Sequence, residues 1–285
     1  MRVIGLDSGS TTTKGVLFEE GRLLKKSLLP TAGDPKNAML AVLKQLDPDF
    51  SEQLLTPEAA LFTSNVTDPD TTRLPYLVTT GYGRKLLPAD LVVTEITCHG
   101  KGAEYLRAGT EQVIDIGGQD CKAILLNGQG GVAEFSMNDR CAAGTGRFVE
   151  VMMRTLGEEI GVLDTFVATA VPVTINSMCT VFAESEVVSL IAKGAKREDI
   201  ALGVLQAIAK RINGQYSKLR PKKGAPVFFT GGLSASRAFT AVLAETLGAP
   251  VVTDPLSQYA GAIGAAQIGI KKAESRRFSA PLLQN

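Results

Sequence analysis

The sequence has no tryptophan, a single histidine (His99) and four cysteines among 285 residues. One histidine excludes a metal site built from several histidines and argues against Ser-His-Asp chemistry. We expect His99 to have a buried or capping role. The sequence also lacks an 18-residue apolar run and a signal-peptide pattern after Met1, which predicts a cytoplasmic protein without a membrane span.

The sequence has almost no excess of charge, since 30 Lys and Arg face 29 Asp and Glu. Nothing in this balance favours a nucleic-acid or membrane-surface partner. It also lacks the G-x-x-x-x-G-K-[ST] motif and a G-x-G-x-x-G that opens a helix after a strand, which excludes P-loop and dinucleotide-binding folds. The length and a 45% hydrophobic content are sufficient for two domains.

One template, D-x-G-x-x-x-x-K-[GA]-[VI]-L, occurs twice, at residues 7–17 and 115–125. In each copy an apolar β-type run precedes the template and another lies at its end, followed by a turn at Gly21 or Gly128. The pattern is typical of strand, glycine turn and strand. We therefore expect a duplicated hairpin at the head of two related α/β domains.

A third glycine turn follows the predicted strand 226–230 and precedes a predicted helix over 235–247 that ends at Gly248. Glycine turns let backbone N–H groups approach a phosphate, and nearby hydroxyls add donors. Three such turns predict one ATP or ADP held across a cleft. The residues expected to contact it are Ser8, Gly9, Ser10, Thr11, Thr12, Thr13, Lys14, Gly117, Gly118, Gln119, Gly231 and Gly232.

Two carboxylates of the template, Asp7 and Asp115, are the candidates for Mg²⁺, which is usually held by one or two carboxylates and phosphate oxygens. The alternative is that one of them merely caps its turn. Glu184 is a weaker candidate for a residue that orients the attacking water.

Two cysteines, Cys141 and Cys179, each stand where a helical pattern is about to begin. The positive end of a helix favours a thiolate or an anionic cluster, whereas simple burial is the alternative for both. Two thiolates cannot complete a four-cysteine cluster, but two chains related by a two-fold axis could share one. We interpret Cys98 and Cys121 as core residues, although they could also complete a set within one chain.

Several stretches together resemble one family, the ATPase activators of 2-hydroxyacyl-CoA dehydratases, which are related to the ATPase subunits of benzoyl-CoA reductase. The stretches are GLDSGSTTTKG, TTGYGR, VIDIGGQD, MNDRCAAGTGRF, CTVFAESE, FFTGG and PLSQYAGAIGAA. They cover most of the chain from Met1 to about Ile270.

The resemblance implies an actin-like ATPase fold and a homodimer that is bridged by one oxygen-sensitive 4Fe-4S cluster through Cys141 and Cys179 of each chain. It also implies that reduced ferredoxin or flavodoxin supplies an electron, which passes to a dehydratase or reductase iron-sulfur component with ATP hydrolysis. Such chemistry belongs to anaerobic metabolism. The alternatives are a small-molecule kinase of the same fold and an activator of a double-cubane iron-sulfur reductase.

The expected domain limits are 1–110 and 111–270, followed by a tail at 271–285, with a helix near 257–270 that could pack on the first domain. Two features differ from the family pattern. The region 31–74 is longer than the usual connection, which affects docking specificity, and Cys121 replaces an apolar residue, which affects packing only.

Overall fold

The computed structural model describes residues 1–50, 75–138, 144–176 and 180–279. The chain forms two compact units, the first being Met1–Tyr105 with Tyr259–Asn285 and the second Leu106–Gln258. In the described part of the chain, no helix is long and apolar enough to cross a membrane.

The strands are β1 (Arg2–Ser8), β2 (Thr12–Glu19), β3 (Arg22–Pro30), β4 (Tyr76–Gly81), β5 (Leu91–Val92), β6 (Gln112–Ile116), β7 (Cys121–Leu126), β8 (Val132–Asn138), β9 (Val227–Gly231) and β10 (Val251–Val252). The α-helices are α1 (Pro35–Leu46), α2 (Glu95–Leu106), α3 (Gly146–Thr155), α4 (Leu163–Phe166), α5 (Thr180–Ala192), α6 (Arg197–Tyr216), α7 (Arg237–Leu247) and α8 (Ala260–Ser279).

The first unit is built on a mixed sheet with strand order β3-β2-β1-β4-β5. β1 and β2 form the expected antiparallel hairpin, while β4 lies parallel to β1. Helix α1 begins at Pro35 and is capped by Asp34, whose side chain accepts a hydrogen bond from the N–H of Asn37. The helix buries an apolar face that includes Leu43. Helix α8 packs against β1 and β4, where Gly5 allows it to approach the strand closely.

The second unit repeats this arrangement with strand order β10-β9-β6-β7-β8. β6 and β7 form the second predicted hairpin, and β9 lies parallel to β6. A core of buried apolar side chains from α3, α6 and α7 covers the sheet. The duplication predicted from the template is thus a duplication of strand order and pairing direction.

Several element boundaries differ from those expected. The helix predicted over 235–247 begins at Arg237, because the Ser236 side chain caps it by accepting the N–H of Phe239, and it ends at Gly248 in the left-handed conformation (φ +61°). Helix α8 continues to Ser279, through residues assigned above to the tail, since residues 271–279 contain no glycine or proline. Helix α1 lies within the long region 31–74, of which 51–74 are outside the described residues.

Candidate functional site

The hairpin of the first unit brings Asp7 and Lys14 to directly opposite positions on β1 and β2. Asp7 is the second-last residue of β1 and is 2% exposed. Its Oδ2 lies 3.8 Å from the Lys14 Nζ. Lys14 thus supplies the counter-charge that the buried Asp7 carboxylate needs.

Two glycines frame the Asp7 carboxylate. A Cβ on Gly81 would lie 2.5 Å from Asp7 Oδ1, and a Cβ on Gly261 would lie 2.6 Å from Asp7 Oδ2. Gly81 also has φ +86°, which favours glycine. Gly261 is the second residue of α8, so the carboxylate lies at the positive end of that helix. The carboxylate therefore lies in a narrow slot between Gly81 and Gly261, and a side chain at either position would collide with it.

The turn between β1 and β2 is held by hydrogen bonds to Thr31. Its Oγ1 donates to the Gly9 carbonyl over 2.8 Å and lies 3.0 Å from the Thr13 Oγ1. Thr13 and Ser8 are fully buried, whereas Ser10, Thr11 and Thr12 are half-buried. Of the hydroxyls expected to contact phosphate, these last three are therefore the more accessible ones.

The hairpin of the second unit places Asp115 opposite Lys122 in the same way. Lys122 is completely buried, and its Nζ lies 3.1 Å from Asp115 Oδ2 and 2.6 Å from Asp120 Oδ2. Thr230 donates its hydroxyl to Asp115 Oδ1 over 2.8 Å. Asp115 is therefore held on both carboxylate oxygens by neighbours in its own unit.

The glycine loop of this hairpin, Gly117 and Gly118, connects directly to α3. The N–H of Gly146 donates to the Gly117 carbonyl over 2.9 Å, and that of Arg147 to the Gly118 carbonyl over 3.0 Å. Gln119, between this loop and Asp120, is exposed.

The third predicted phosphate turn follows β9. Gly231 has φ +90°, and a Cβ there would collide with the carbonyl oxygen of Ile116. Ser234 donates its hydroxyl to the Gly231 carbonyl over 2.7 Å. A Cβ on Gly232, by contrast, would meet no atom within 4 Å. Gly231 is required by the fold, whereas Gly232 faces open space that a ligand can use.

The duplication extends beyond the two hairpins. Asp7 is in register with Thr80 on β4, as Asp115 is with Thr230 on β9. Each threonine precedes a glycine with positive φ, Gly81 in one case and Gly231 in the other. Each unit thus carries an Asp, a Lys, a Thr and a Gly at equivalent places.

Sequence reasoning missed part of this arrangement. The role of Lys122 could have been predicted from the repeated template, where it matches Lys14. The equivalence of Thr80 and Thr230 could have been predicted from the Thr-Gly pairs that TTGYG and FFTGG share. The proximity of Gly261 to Asp7 left no signal, because more than two hundred residues separate them.

The two cysteines interpreted above as core residues are both buried. Burial raises the pKa of the Cys98 thiol to about 12, and it does the same for Cys121. Both therefore remain protonated thiols at neutral pH. The two cluster candidates, Cys141 and Cys179, lie outside the described residues.

The candidate for orienting water, Glu184, lies exposed on α5. Its Oε1 accepts a hydrogen bond from the Thr155 hydroxyl over 3.4 Å. This contact links α5 to the C-terminal end of α3.

Comparison with known proteins gives a consistent result along the whole chain. The model of the BadF/BadG/BcrA/BcrD ATPase family matches residues 4–269. YjiL of Escherichia coli K12 is 45% identical over 275 residues, covering 96% of this chain and 98% of YjiL. The activator of lactoyl-CoA dehydratase of Anaerotignum propionicum is 36% identical over 280 residues, covering 97% of this chain and 100% of that protein.

A solved structure agrees with these matches. The activator of the 2-hydroxyisocaproyl-CoA dehydratase from Clostridium difficile with bound ADPNP superposes with a TM-score of 0.83 and 30% identity, covering 100% of both chains. The fold of the chain is therefore the actin-like ATPase fold, with two mixed sheets flanked by helices.

Proposed function

The chain belongs to the BadF/BadG/BcrA/BcrD ATPase family, and from this we propose that its ATPase activity drives the reductive activation of a 2-hydroxyacyl-CoA dehydratase or a related iron-sulfur reductase. The observation that carries the proposal is the near full-length match to a dehydratase activator. A solved activator with a bound ATP analogue supports it.

ATP and Mg²⁺ are assigned to the two hairpins and the turn after β9. Asp7 is a buried carboxylate at the end of β1, and Mg²⁺ is usually held by one or two carboxylates together with phosphate oxygens. Lys14 is near enough to Asp7 to offset negative charge, while Asp115 is held more tightly by Lys122 and Thr230. We therefore assign the main magnesium role to Asp7 and a supporting one to Asp115.

A 4Fe-4S cluster is assigned to Cys141 and Cys179, two thiols from each of two chains. When bound, such a cluster supplies one-electron chemistry at low potential. The choice of these cysteines is supported by the burial of Cys98 and Cys121 in the core.

A second copy of the chain is the proposed partner in a homodimer. Phe135 and Met137 on β8 are exposed, and β8 leads into the segment of Cys141. Phe182 and Val188 on α5 are also exposed, and α5 begins just after Cys179. Apolar side chains on two elements next to the cysteines favour a protein interface there.

The electron is proposed to come from reduced ferredoxin or flavodoxin and to leave to the dehydratase component. Both partners hold redox groups that exchange single electrons, which matches one cluster in the activator. Glu184 remains a weaker proposal for orienting the water that attacks ATP.

The experiment that tests the proposal is anaerobic purification of the full chain, with iron counted per dimer and with visible absorption and EPR spectra recorded. We expect four irons per dimer and magnesium-dependent ATP hydrolysis. Protein with ATPase activity but no iron, or phosphorylation of a sugar or an acid, would contradict the activator function.

Cysteine variants make this test specific. Cys141→Ser and Cys179→Ser are expected to lose the iron but keep nucleotide binding, because the phosphate hairpins are separate segments. Cys98→Ser and Cys121→Ser serve as matched controls and should keep the full iron content. Loss of iron only in the controls would move the cluster to the buried pair.

A further inference from the structure

His99, the single histidine, lies in the core next to the Asp7 slot. The residue is 5% exposed, on α2. Its Nε2 is 3.9 Å from the Oε1 of Glu95, one helical turn earlier. A buried polar ring needs polar partners, so the polar groups around His99 indicate its role.

Helices α2 and α8 approach each other through glycines. A Cβ on Gly102 would collide with the carbonyl of Ala260, and a Cβ on Gly264 would collide with the carbonyl of Cys98. Backbones this close leave α2 no freedom to slide along α8. The position of the imidazole relative to the start of α8 is therefore fixed.

The imidazole and the Asp7 carboxylate converge on one point. A Cβ added to Gly261 would lie 3.1 Å from His99 Nε2 and 2.6 Å from Asp7 Oδ2. Lys14 approaches the same carboxylate oxygen at 3.8 Å. The His99 ring and the Lys14 ammonium group thus both lie in the neighbourhood of the Asp7 carboxylate.

We propose that His99 is a positioning residue of the magnesium-nucleotide site, which sets the orientation of the Asp7 carboxylate through its Nε2. The inference rests on the magnesium site proposed above. Groups that orient a metal-binding carboxylate typically contribute 10–100-fold to metal affinity.

Two isosteric variants of the full chain test this role. In His99→Gln the amide nitrogen takes the place of Nε2, whereas in His99→Asn it takes that of Nδ1, so both keep a polar side chain of similar size. The readout is Mn²⁺ binding in the presence of a non-hydrolysable ATP analogue, followed by the EPR signal of free Mn²⁺. We expect His99→Asn to weaken binding by at least about tenfold and His99→Gln by less than about threefold.

A glycine pair gives an independent check. Gly261→Ala places a methyl group between Asp7 and His99 and should weaken Mn²⁺ binding like His99→Asn. Gly269→Ala is the matched control, because its Cβ would press on the same strands at Val78 and Val3 but on no polar group. It should lower the melting temperature and leave Mn²⁺ affinity unchanged.

The outcomes separate the two levels of the proposal. Equal Mn²⁺ affinity in wild type, His99→Asn and His99→Gln would overturn the role of His99 while leaving the magnesium site in place. Equal losses in both histidine variants would assign His99 to packing and also overturn it. Absence of nucleotide-dependent Mn²⁺ binding in wild type would overturn the proposed magnesium site itself.

Discussion

Gly146, the first residue of α3, donates its backbone N–H to the carbonyl oxygen of Gly117 over 2.9 Å. The first N–H groups of a helix have no partner within the helix, and here the glycine loop of the second hairpin supplies one. Since α3 follows Cys141 in the chain, we expect a movement of this loop on nucleotide binding to be transmitted towards the residues proposed to hold the cluster.

The first prediction concerns this link and uses Gly146→Pro. Proline fits the first position of a helix, and the preceding Thr145 is already extended (φ −119°, ψ 166°), as a residue before proline must be. The change removes the N–H that binds Gly117 and places the ring Cδ against the Gly117 carbonyl oxygen, so the contact between this loop and α3 is broken. The measured quantity is the rate at which a chelator removes cluster iron, compared between ADP and a non-hydrolysable ATP analogue. Loss of about 1 kcal/mol of hydrogen bonding should reduce the difference between these two rates by about fivefold.

Arg154→Gln, at the exposed far end of α3, is the control and should keep the wild-type nucleotide response. The same response in Gly146→Pro would show that the Gly117 contact is not part of the coupling. A wild-type protein with no nucleotide response at all would indicate that ATP acts on partner docking alone.

The second prediction separates the two template aspartates. Asp7→Asn should lower kcat for ATP by about 100-fold, because charge near the transferring phosphoryl group is lost. Its stability should fall by only about 1 kcal/mol, since Lys14 is 3.8 Å away and partly exposed. Asp115→Asn should lose about 3 kcal/mol, because it removes one counter-charge of the fully buried Lys122.

Urea unfolding and steady-state ATPase assays of both variants check this prediction. Equal effects of the two changes on stability would mean that the shorter distances around Asp115 carry no energetic weight. Wild-type ATPase rates in both would mean that the repeated template is unrelated to nucleotide chemistry.

The third prediction compares neighbouring glycines after β9. Gly231→Ala forces a Cβ into the carbonyl of Ile116 at φ +90° and should destabilise the protein by more than about 1 kcal/mol. Gly232→Ala adds a methyl group where no atom lies within 4 Å, so the melting temperature should stay constant. Fluorescence titration with an ATP analogue then reports directly on phosphate contact, and unchanged affinity in Gly232→Ala would remove Gly232 from the site.

The fourth prediction is a pH dependence at Asp164. Burial alone would raise the pKa of this carboxyl, but hydrogen bonds from the Ser236 hydroxyl and from the N–H groups of Arg237 and Ala238 lower it below its ordinary value. A lowered pKa stabilises the fold above the ordinary carboxyl pKa, and the stabilisation is lost as pH falls through the lowered value.

Asp164→Asn should therefore cost about 1 kcal/mol at neutral pH, as expected for loss of a helix-capping group, and the difference from wild type should disappear in acid. Urea unfolding at several pH values measures it. The exposed Glu159 gives the control Glu159→Gln, which should show no such trend. A difference for Asp164→Asn that is constant with pH would exclude the carboxylate as its source.

The sequence alone was sufficient to predict the two hairpins, and the repeated template also held the signal for their cross-strand pairs, which was not used. In a strand the side chains alternate between faces, and a template that repeats both the spacing and the glycine turn places Asp7 opposite Lys14 and Asp115 opposite Lys122. Local rules also predicted the end of α7, because Gly248 takes the left-handed conformation that terminates a helix.

The tertiary structure decided how deeply the lysine beside each aspartate is buried. The fixed positions of the template are the same in both hairpins, and Asp120 already stands in the sequence where the first hairpin has Thr12, but only the second lysine is completely buried. Burial depends on what packs over a hairpin rather than on its own residues. The meeting of Asp7, His99 and Gly261 was likewise beyond local reasoning, because it depends on how closely α8 can approach β1 and α2, and that distance is set by glycines far apart in the chain.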